Sequence, residues 1–208
     1  MTRRIAMLAT LAVALLLGGT AAFILLADRG GRFAACDGGS VAGGGDLIGG
    51  PFTLIDQTGQ QVTDADVIDG LTLVYFGYTF CPDICPVDVA RNADAVDLLD
   101  QRGVTVKPVM ITVDPARDTP EVMADYAGYM HPRMVGLTGT DEQIEAAKTA
   151  YKVYGAKAAG QEDEEFYIVD HTTLTYLMHP EEGFLAFFRR EMSAEQVADR
   201  VECFADAL

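Results

Sequence analysis

Apolar and polar positions along the chain fall into separate rhythms, and each rhythm predicts an element. Residues 5–27 carry no charged side chain, a run long enough for a helix to cross a bilayer core of about 30 Å. Over residues 30–50 glycine dominates and large apolar residues are scarce, the composition of a flexible tether. Residues 51–56 and 61–63, either side of a turn containing Gly59, read as a short hairpin. Residues 71–78 are almost continuously β-branched, aromatic or aliphatic, the pattern of a central strand buried on both faces. Beyond Pro86, apolar residues Val89, Ala93, Val96 and Leu99 recur at helical spacing, and Gly103 stands where a C-terminal cap belongs.

The alternation then continues. A strand is expected over residues 104–113, a helix from Thr119 and Pro120 to about Met130, and a strand over 134–138. Thr140 and Gln143 form a capping box that opens a helix ending near Gly155. Residues 166–169, 172–178 and 184–188 are expected as hairpin strands, and Ser193 with Gln196 caps a last helix. The order is that of an α/β domain closing on a β-hairpin and a helix.

Composition and charge narrow this picture. The chain has 208 residues, enough for one domain with a full core. Its 31 acidic against 15 basic residues give a formal charge of −16, which repels polyphosphates and argues against a nucleic-acid partner. Most of that charge reads as solvated surface. Arg3 and Arg4 precede the apolar run, so the positive-inside rule puts the N-terminus in the cytoplasm and the working domain across the membrane. The expected organisation is an inner-membrane anchor over residues 1–28, a tether over 29–45 and a periplasmic domain over 46–208. A cleaved signal peptide competes with the anchor, although its apolar core usually spans only about 7 to 15 residues. Cys36 follows a loosely lipoprotein-like Phe33-Ala34-Ala35, but Asp28, Arg29 and Arg32 separate it from the apolar run.

The chemistry concentrates in Phe80-Cys81-Pro82-Asp83-Ile84-Cys85-Pro86, where a buried strand gives way to a helix. Free backbone N–H groups and the positive end of a helix dipole favour thiolate over thiol there, and both redox exchange and metal binding use thiolate. In a helical segment, positions four apart share a face, so Cys81 and Cys85 can point at one ion or close a disulfide. A buried disulfide or two inert core cysteines is the plain structural alternative. Thioredoxin-type oxidoreductases have two residues between their cysteines, whereas Pro82, Asp83 and Ile84 make three here. Two thiolates suit cuprous ion, and an added imidazole makes the set acceptable to cupric ion as well. Of the three histidines, His131 and His179 precede prolines and read as surface turn residues. His171 lies between an apolar strand and the hairpin, where a thioredoxin-like fold brings the chain over the cysteine pair and normally carries a cis-proline.

From about residue 50 to residue 188 the chain resembles the Sco/SenC copper proteins that take part in assembling cytochrome c oxidase. The resemblance rests on Gly49-Gly50-Pro51-Phe52-Thr53-Leu54, the segment from Tyr75 through the cysteine motif to Pro86, Val113-Asp114-Pro115-Ala116-Arg117-Asp118-Thr119-Pro120-Glu121, Gly136-Leu137-Thr138-Gly139 and Val169-Asp170-His171-Thr172. It implies a thioredoxin-like fold with a central mixed sheet flanked by helices and an N-terminal hairpin extension. It also implies copper, as Cu(I) or Cu(II), on Cys81, Cys85 and His171. The implied partner is subunit II of cytochrome c oxidase, with other periplasmic copper chaperones or thiol reductants as further partners.

The remaining residues of these motifs have simpler readings. Asp114 and Asp118 are expected to form turns and cap a helix, Asp83 and Asp170 to tune the ligands or meet a partner without binding metal, and Met110, Met123, Met130 and Met134 to pack the core. Cys36 and Cys203 are hypothesised to pair, pinning the tether. The leading function is a metallochaperone. A thiol–disulfide reductase using Cys81 and Cys85 is the enzyme alternative, and a copper or redox sensor is the third. A peroxidase is disfavoured, because a single cysteine would serve it.

Overall fold

A computed structural model describes residues 16–20, 32–33, 35–36, 47–161 and 166–208. The expected membrane span and tether lie almost wholly outside them; residues 16–20 are helical and exposed. No helix among the described residues is long and apolar enough to cross a membrane. The chain divides into two units, Met1–Asp37 and Gly38–Asp206.

The larger unit is built on β1 (Thr53–Asp56), β2 (Gln61–Thr63), α1 (Asp64–Val67), β3 (Thr72–Gly77), α2 (Ile84–Gln101), β4 (Lys107–Thr112), α3 (Pro120–Met130), β5 (Val135–Thr138), α4 (Asp141–Tyr151), β6 (Gly155–Lys157), β7 (Val169–His171), β8 (Thr175–His179), β9 (Gly183–Phe188) and α5 (Ala194–Ala207). Seven strands form one sheet in the order β2-β1-β5-β4-β3-β8-β9, and β6 pairs β7 in a separate ribbon. β3, β4 and β5 run parallel, while β1 and β8 join them antiparallel. The sheet is therefore mixed, with helices packed on it, and the fold is thioredoxin-like with an N-terminal hairpin.

The local signals explain the elements. All six residues of β3 are buried, as its apolar run requires. Leu73 and Tyr75 line a small void together with Val89 and Asn92 of α2. Phe76 instead meets Tyr151 and Tyr176 at ring separations of 5.2 and 6.3 Å, and alternation along the strand accounts for the difference. Thr119 caps α3 ahead of Pro120, and Thr140 and Ser193 form the expected capping boxes on α4 and α5. Met110, Met123 and Met134 are buried in the core. Cys36 and Cys203 are each disulfide-bonded, leaving Cys81 and Cys85 as free thiols.

Four expectations need correction. The helix after the cysteine motif opens at Ile84, so Cys81 stands in the turn before it and not on a shared helix face. α4 stops at Tyr151 because Lys152 adopts the left-handed conformation, which frees Gly155–Lys157 to form β6. Phe166 and Ile168 are not in a strand; the strand is Val169–His171, since its partners lie in β6. His131 is buried, not a surface residue. Its Nδ1 accepts from the Arg133 N–H at 3.1 Å and its Nε2 lies 3.4 Å from Asp97.

Candidate metal centre

The strand β3 delivers the chain to the site. Gly77, its last residue, allows a close approach that no other residue permits. A Cβ there would meet Tyr75 at 2.7 Å and the Cys85 Sγ at 3.1 Å. After the turn at Tyr78–Cys81, where the Cys81 N–H bonds the Tyr78 carbonyl at 3.3 Å, Asp83 takes the N-cap position of α2 but makes no side-chain cap. The Cys81 sulfur fills that role by accepting the Cys85 N–H at 3.3 Å, satisfying a first-turn donor that would otherwise lack a partner.

The two sulfurs sit in different environments. Cys85 is fully buried, and burial pushes its thiol well above the ordinary range. Burial also pushes the half-buried Cys81 thiol up. Donation from the backbone N–H of Cys85, Asp83 and Ile84, with the Cys85 thiol, outweighs it and holds Cys81 below the usual value. A helix N-terminus stabilises thiolate in this way.

His171 ends β7, opposite Gly155 of β6. Its Nδ1 lies 3.0 Å from the Thr172 carbonyl oxygen, which can only accept, so Nδ1 carries the proton and Nε2 presents its lone pair. That Nε2 is 3.3 Å from the Cys85 Sγ. The rings of Tyr75 and Tyr78 stand edge-on to the imidazole at 6.2 and 5.8 Å, and burial lowers its pKa, favouring the neutral ligand form.

The ligand atoms of Cys81, Cys85 and His171 all lie within 4.8 Å of one another. An ion about 2.3 Å from sulfur and about 2.0 Å from nitrogen spans donors up to about 4.6 Å apart, so shifts of a few tenths of an ångström close the set. The set fits a soft or borderline metal. The three residues singled out in the sequence thus converge, and His179 does not join them: its Nδ1 accepts from the Glu181 and Glu182 N–H groups in the β8–β9 turn. Asp83 and Asp170 are exposed and outside the cluster.

Beside the site is a layer that sequence reasoning took for turn chemistry alone. Asp118, fully buried, accepts from the Thr79 N–H at 3.1 Å, the Thr79 hydroxyl at 2.5 Å and the Thr112 hydroxyl at 2.6 Å, so it ties the turn before Cys81 to the end of β4. Asp114 accepts the Tyr167 hydroxyl at 2.7 Å and pairs with Arg117. Tyr78 accepts the Val169 N–H at 3.3 Å. The Asp114–Asp118 motif and the tyrosines were visible in the sequence, but their meeting depends on loops from three strands.

The SCO1/SenC family model matches residues 41–206. Protein SenC of Rhodobacter capsulatus is 52% identical over 203 residues, covering 98% of this chain and 90% of that protein. Among solved structures, Arabidopsis thaliana ScoI with copper bound is 40% identical with a TM-score of 0.71, covering 76% of this chain and 99% of that one. Yeast Sco1 with copper bound is 33% identical with a TM-score of 0.72, covering 77% and 90%. The fold is shared at 23% identity and a TM-score of 0.59, over 77% of this chain and 94% of the other, with BsSco, described as a member of the Sco family of cytochrome c oxidase assembly proteins.

Proposed function

This chain belongs to the SCO1/SenC family, and from that premise we propose that it binds one copper ion through Cys81, Cys85 and His171 and passes it to a protein acceptor. The supporting observation is the convergence of two free thiols and a neutral imidazole within 4.8 Å. The acceptor in this reading is the dinuclear copper centre of cytochrome c oxidase subunit II, and the domain works on the periplasmic face, held to the inner membrane by the apolar N-terminal segment.

The residues divide the work by exposure. Cys81, half-exposed with a depressed pKa, is the sulfur that an incoming acceptor thiolate reaches first. Cys85, buried beneath it, keeps hold of the cargo until the exchange is complete. His171 makes the site acceptable to cupric as well as cuprous ion, and its release lowers the coordination number during transfer. The test is copper titration of the full chain and its Cys81→Ala, Cys85→Ala and His171→Ala variants. Loss of stoichiometric binding in both cysteine variants, and of the cupric–thiolate absorption in the histidine variant, is expected. Unchanged binding in any of the three removes that residue from the site.

The different environments of the two free thiols favour a second reading, a thiol–disulfide reductase. Cys81 thiolate attacks a partner disulfide and one partner thiolate leaves; Cys85 gives its proton to that released thiolate and attacks the Cys81 sulfur, displacing the second partner thiolate, so the partner gains two electrons and Cys81–Cys85 becomes the disulfide. This chemistry has no use for His171. A His171→Ala chain that loses cupric binding yet reduces partner disulfides at the normal rate separates the two.

A further inference from the structure

Arg117 lies in the motif between β4 and α3 that the copper chemistry leaves unused. Its guanidinium carbon stands 3.7 Å from the Tyr167 ring centroid, 5.0 Å from that of Phe80 and 5.6 Å from that of Tyr78. Its Nε pairs with Asp114, whose other oxygen accepts the Tyr167 hydroxyl. These aromatic rings come from two separate segments. Phe80 and Tyr78 flank the turn that carries Cys81, while Tyr167 precedes the strand that ends in His171. Tyr78 closes the circuit, since its hydroxyl accepts the Val169 N–H and its ring stands edge-on to the imidazole. A guanidinium is suited to such a place because it stacks flat on aromatic faces while its fork holds a carboxylate. The Arg117 Nη2 is buried and has no hydrogen-bond partner among the described residues, a cost consistent with an arginine kept for stacking.

Resting on the copper reading above, we infer that Arg117 is a positioning residue: it clamps the segment bearing His171 onto the turn bearing Cys81 and so sets the approach of the imidazole to the two sulfurs. It acts through the Tyr78, Phe80 and Tyr167 rings and Asp114, and not as a ligand. Loss of the clamp leaves Cys85 in place on α2 and Cys81 in the turn that Asp118 ties to the end of β4, and lets β7 drift. Cupric binding, which uses the imidazole, then weakens, whereas cuprous binding by two thiolates does not.

The test uses the full-length chain with Cys81 and Cys85 as free thiols and two readouts. In the metal-free protein, proton–nitrogen spectra of the imidazoles show one sharp Nδ1-protonated His171 in the wild type and a broadened or tautomer-averaged signal in Arg117→Ala. In competition titrations, Arg117→Ala lowers cupric affinity by about 10- to 100-fold, the range for outer-shell partners of a metal site, with cuprous affinity unchanged. Adding Arg117→Ala to His171→Ala costs nothing further, because the clamp acts through the imidazole. Arg117→Lys keeps the charge, loses the flat stack, and is expected to behave like Arg117→Ala; it serves alone if the alanine variant does not fold. Wild-type imidazole signals and cupric affinity in these variants overturn the inference, as does an equal loss on the His171→Ala background. A wild-type chain that binds no copper sinks the proposed function instead, and the metal-free spectra then decide the positioning role by themselves.

Discussion

The two regions that supply the candidate ligands are held in place in opposite ways. The sulfurs are carried by the turn after β3 and by α2, and β3 lies between β4 and β8 with every residue buried. The imidazole rides on β6–β7, a ribbon of two three-residue strands outside the main sheet, in which Ala156, Lys157 and Asp170 are exposed. A buried polar net adds to the first region. Arg91 donates to the Arg189 carbonyl at 2.7 Å and to Thr175 and Asn92 at 2.9 Å, binding α2 to β8 and to the end of β9. The second region has fewer such ties: backbone pairing, the Lys148 ammonium on the Gly155 carbonyl at 2.7 Å, the Tyr154 N–H on the Thr172 hydroxyl, the Tyr78 hydroxyl, and Arg117 and Lys157 on the Tyr167 ring. The contrast teaches that the thiols are preorganised by the core of the fold, while the imidazole is set by a short ribbon, its Nδ1 contact with the Thr172 carbonyl and a few aromatic contacts.

The largest test of that contrast is in stability. Phe76→Ala removes a ring packed among Tyr151 and Tyr176 on the face of β3 away from Cys85 and is expected to cost about 3–5 kcal/mol in urea unfolding. Asp170→Ala on the exposed side of the ribbon is expected to change stability by no more than about 0.5 kcal/mol and to leave copper affinity alone. Comparable losses from the two would erase the distinction.

Amide exchange sharpens it without mutation. Amides of β6 and β7 are expected to exchange well ahead of those of β3, since a thin exposed ribbon opens below the free energy of global unfolding. Equal protection in the two would show that the ribbon opens only with the core.

The smallest effect concerns pH. Burial raises the Asp118 pKa above the ordinary carboxylate value despite its hydrogen bonds from Thr112 and Thr79. A raised folded-state pKa means the folded chain binds the proton more tightly, so this contribution is fully present below the unfolded pKa and is lost as pH rises through the folded one. Unfolding of wild type against Asp118→Asn from pH 4 to pH 7 is expected to shift in favour of the variant as pH rises, by about 1.4 kcal/mol for each unit of pKa difference. A gap between the two that does not vary with pH removes Asp118 as the cause.

Much of this was legible along the chain. The buried run of β3, the capping residues Thr119, Thr140 and Ser193, the cysteine motif and His171 were all readable, because each is a local pattern of apolarity, hydrogen-bonding side chains or metal-binding residue types. The ribbon was not. Gly155-Ala156-Lys157 has no strand-like periodicity, and it becomes a strand only because Lys152 ends α4 early and Val169–His171 comes alongside. His131 looked like a surface residue because nothing next to it in the chain indicates that Asp97 of α2 will come against it.

Sequence by itself therefore determined the family, the candidate ligand residues and the strand and helix on either side of the cysteine motif, since these depend on residues close together in the chain. Tertiary structure alone decided how the candidate ligands differ: which sulfur is buried, that β7 brings His171 to the sulfurs, and that Arg117 bridges the two segments. Those properties depend on burial and on contacts between loops far apart in sequence, and no local pattern encodes them.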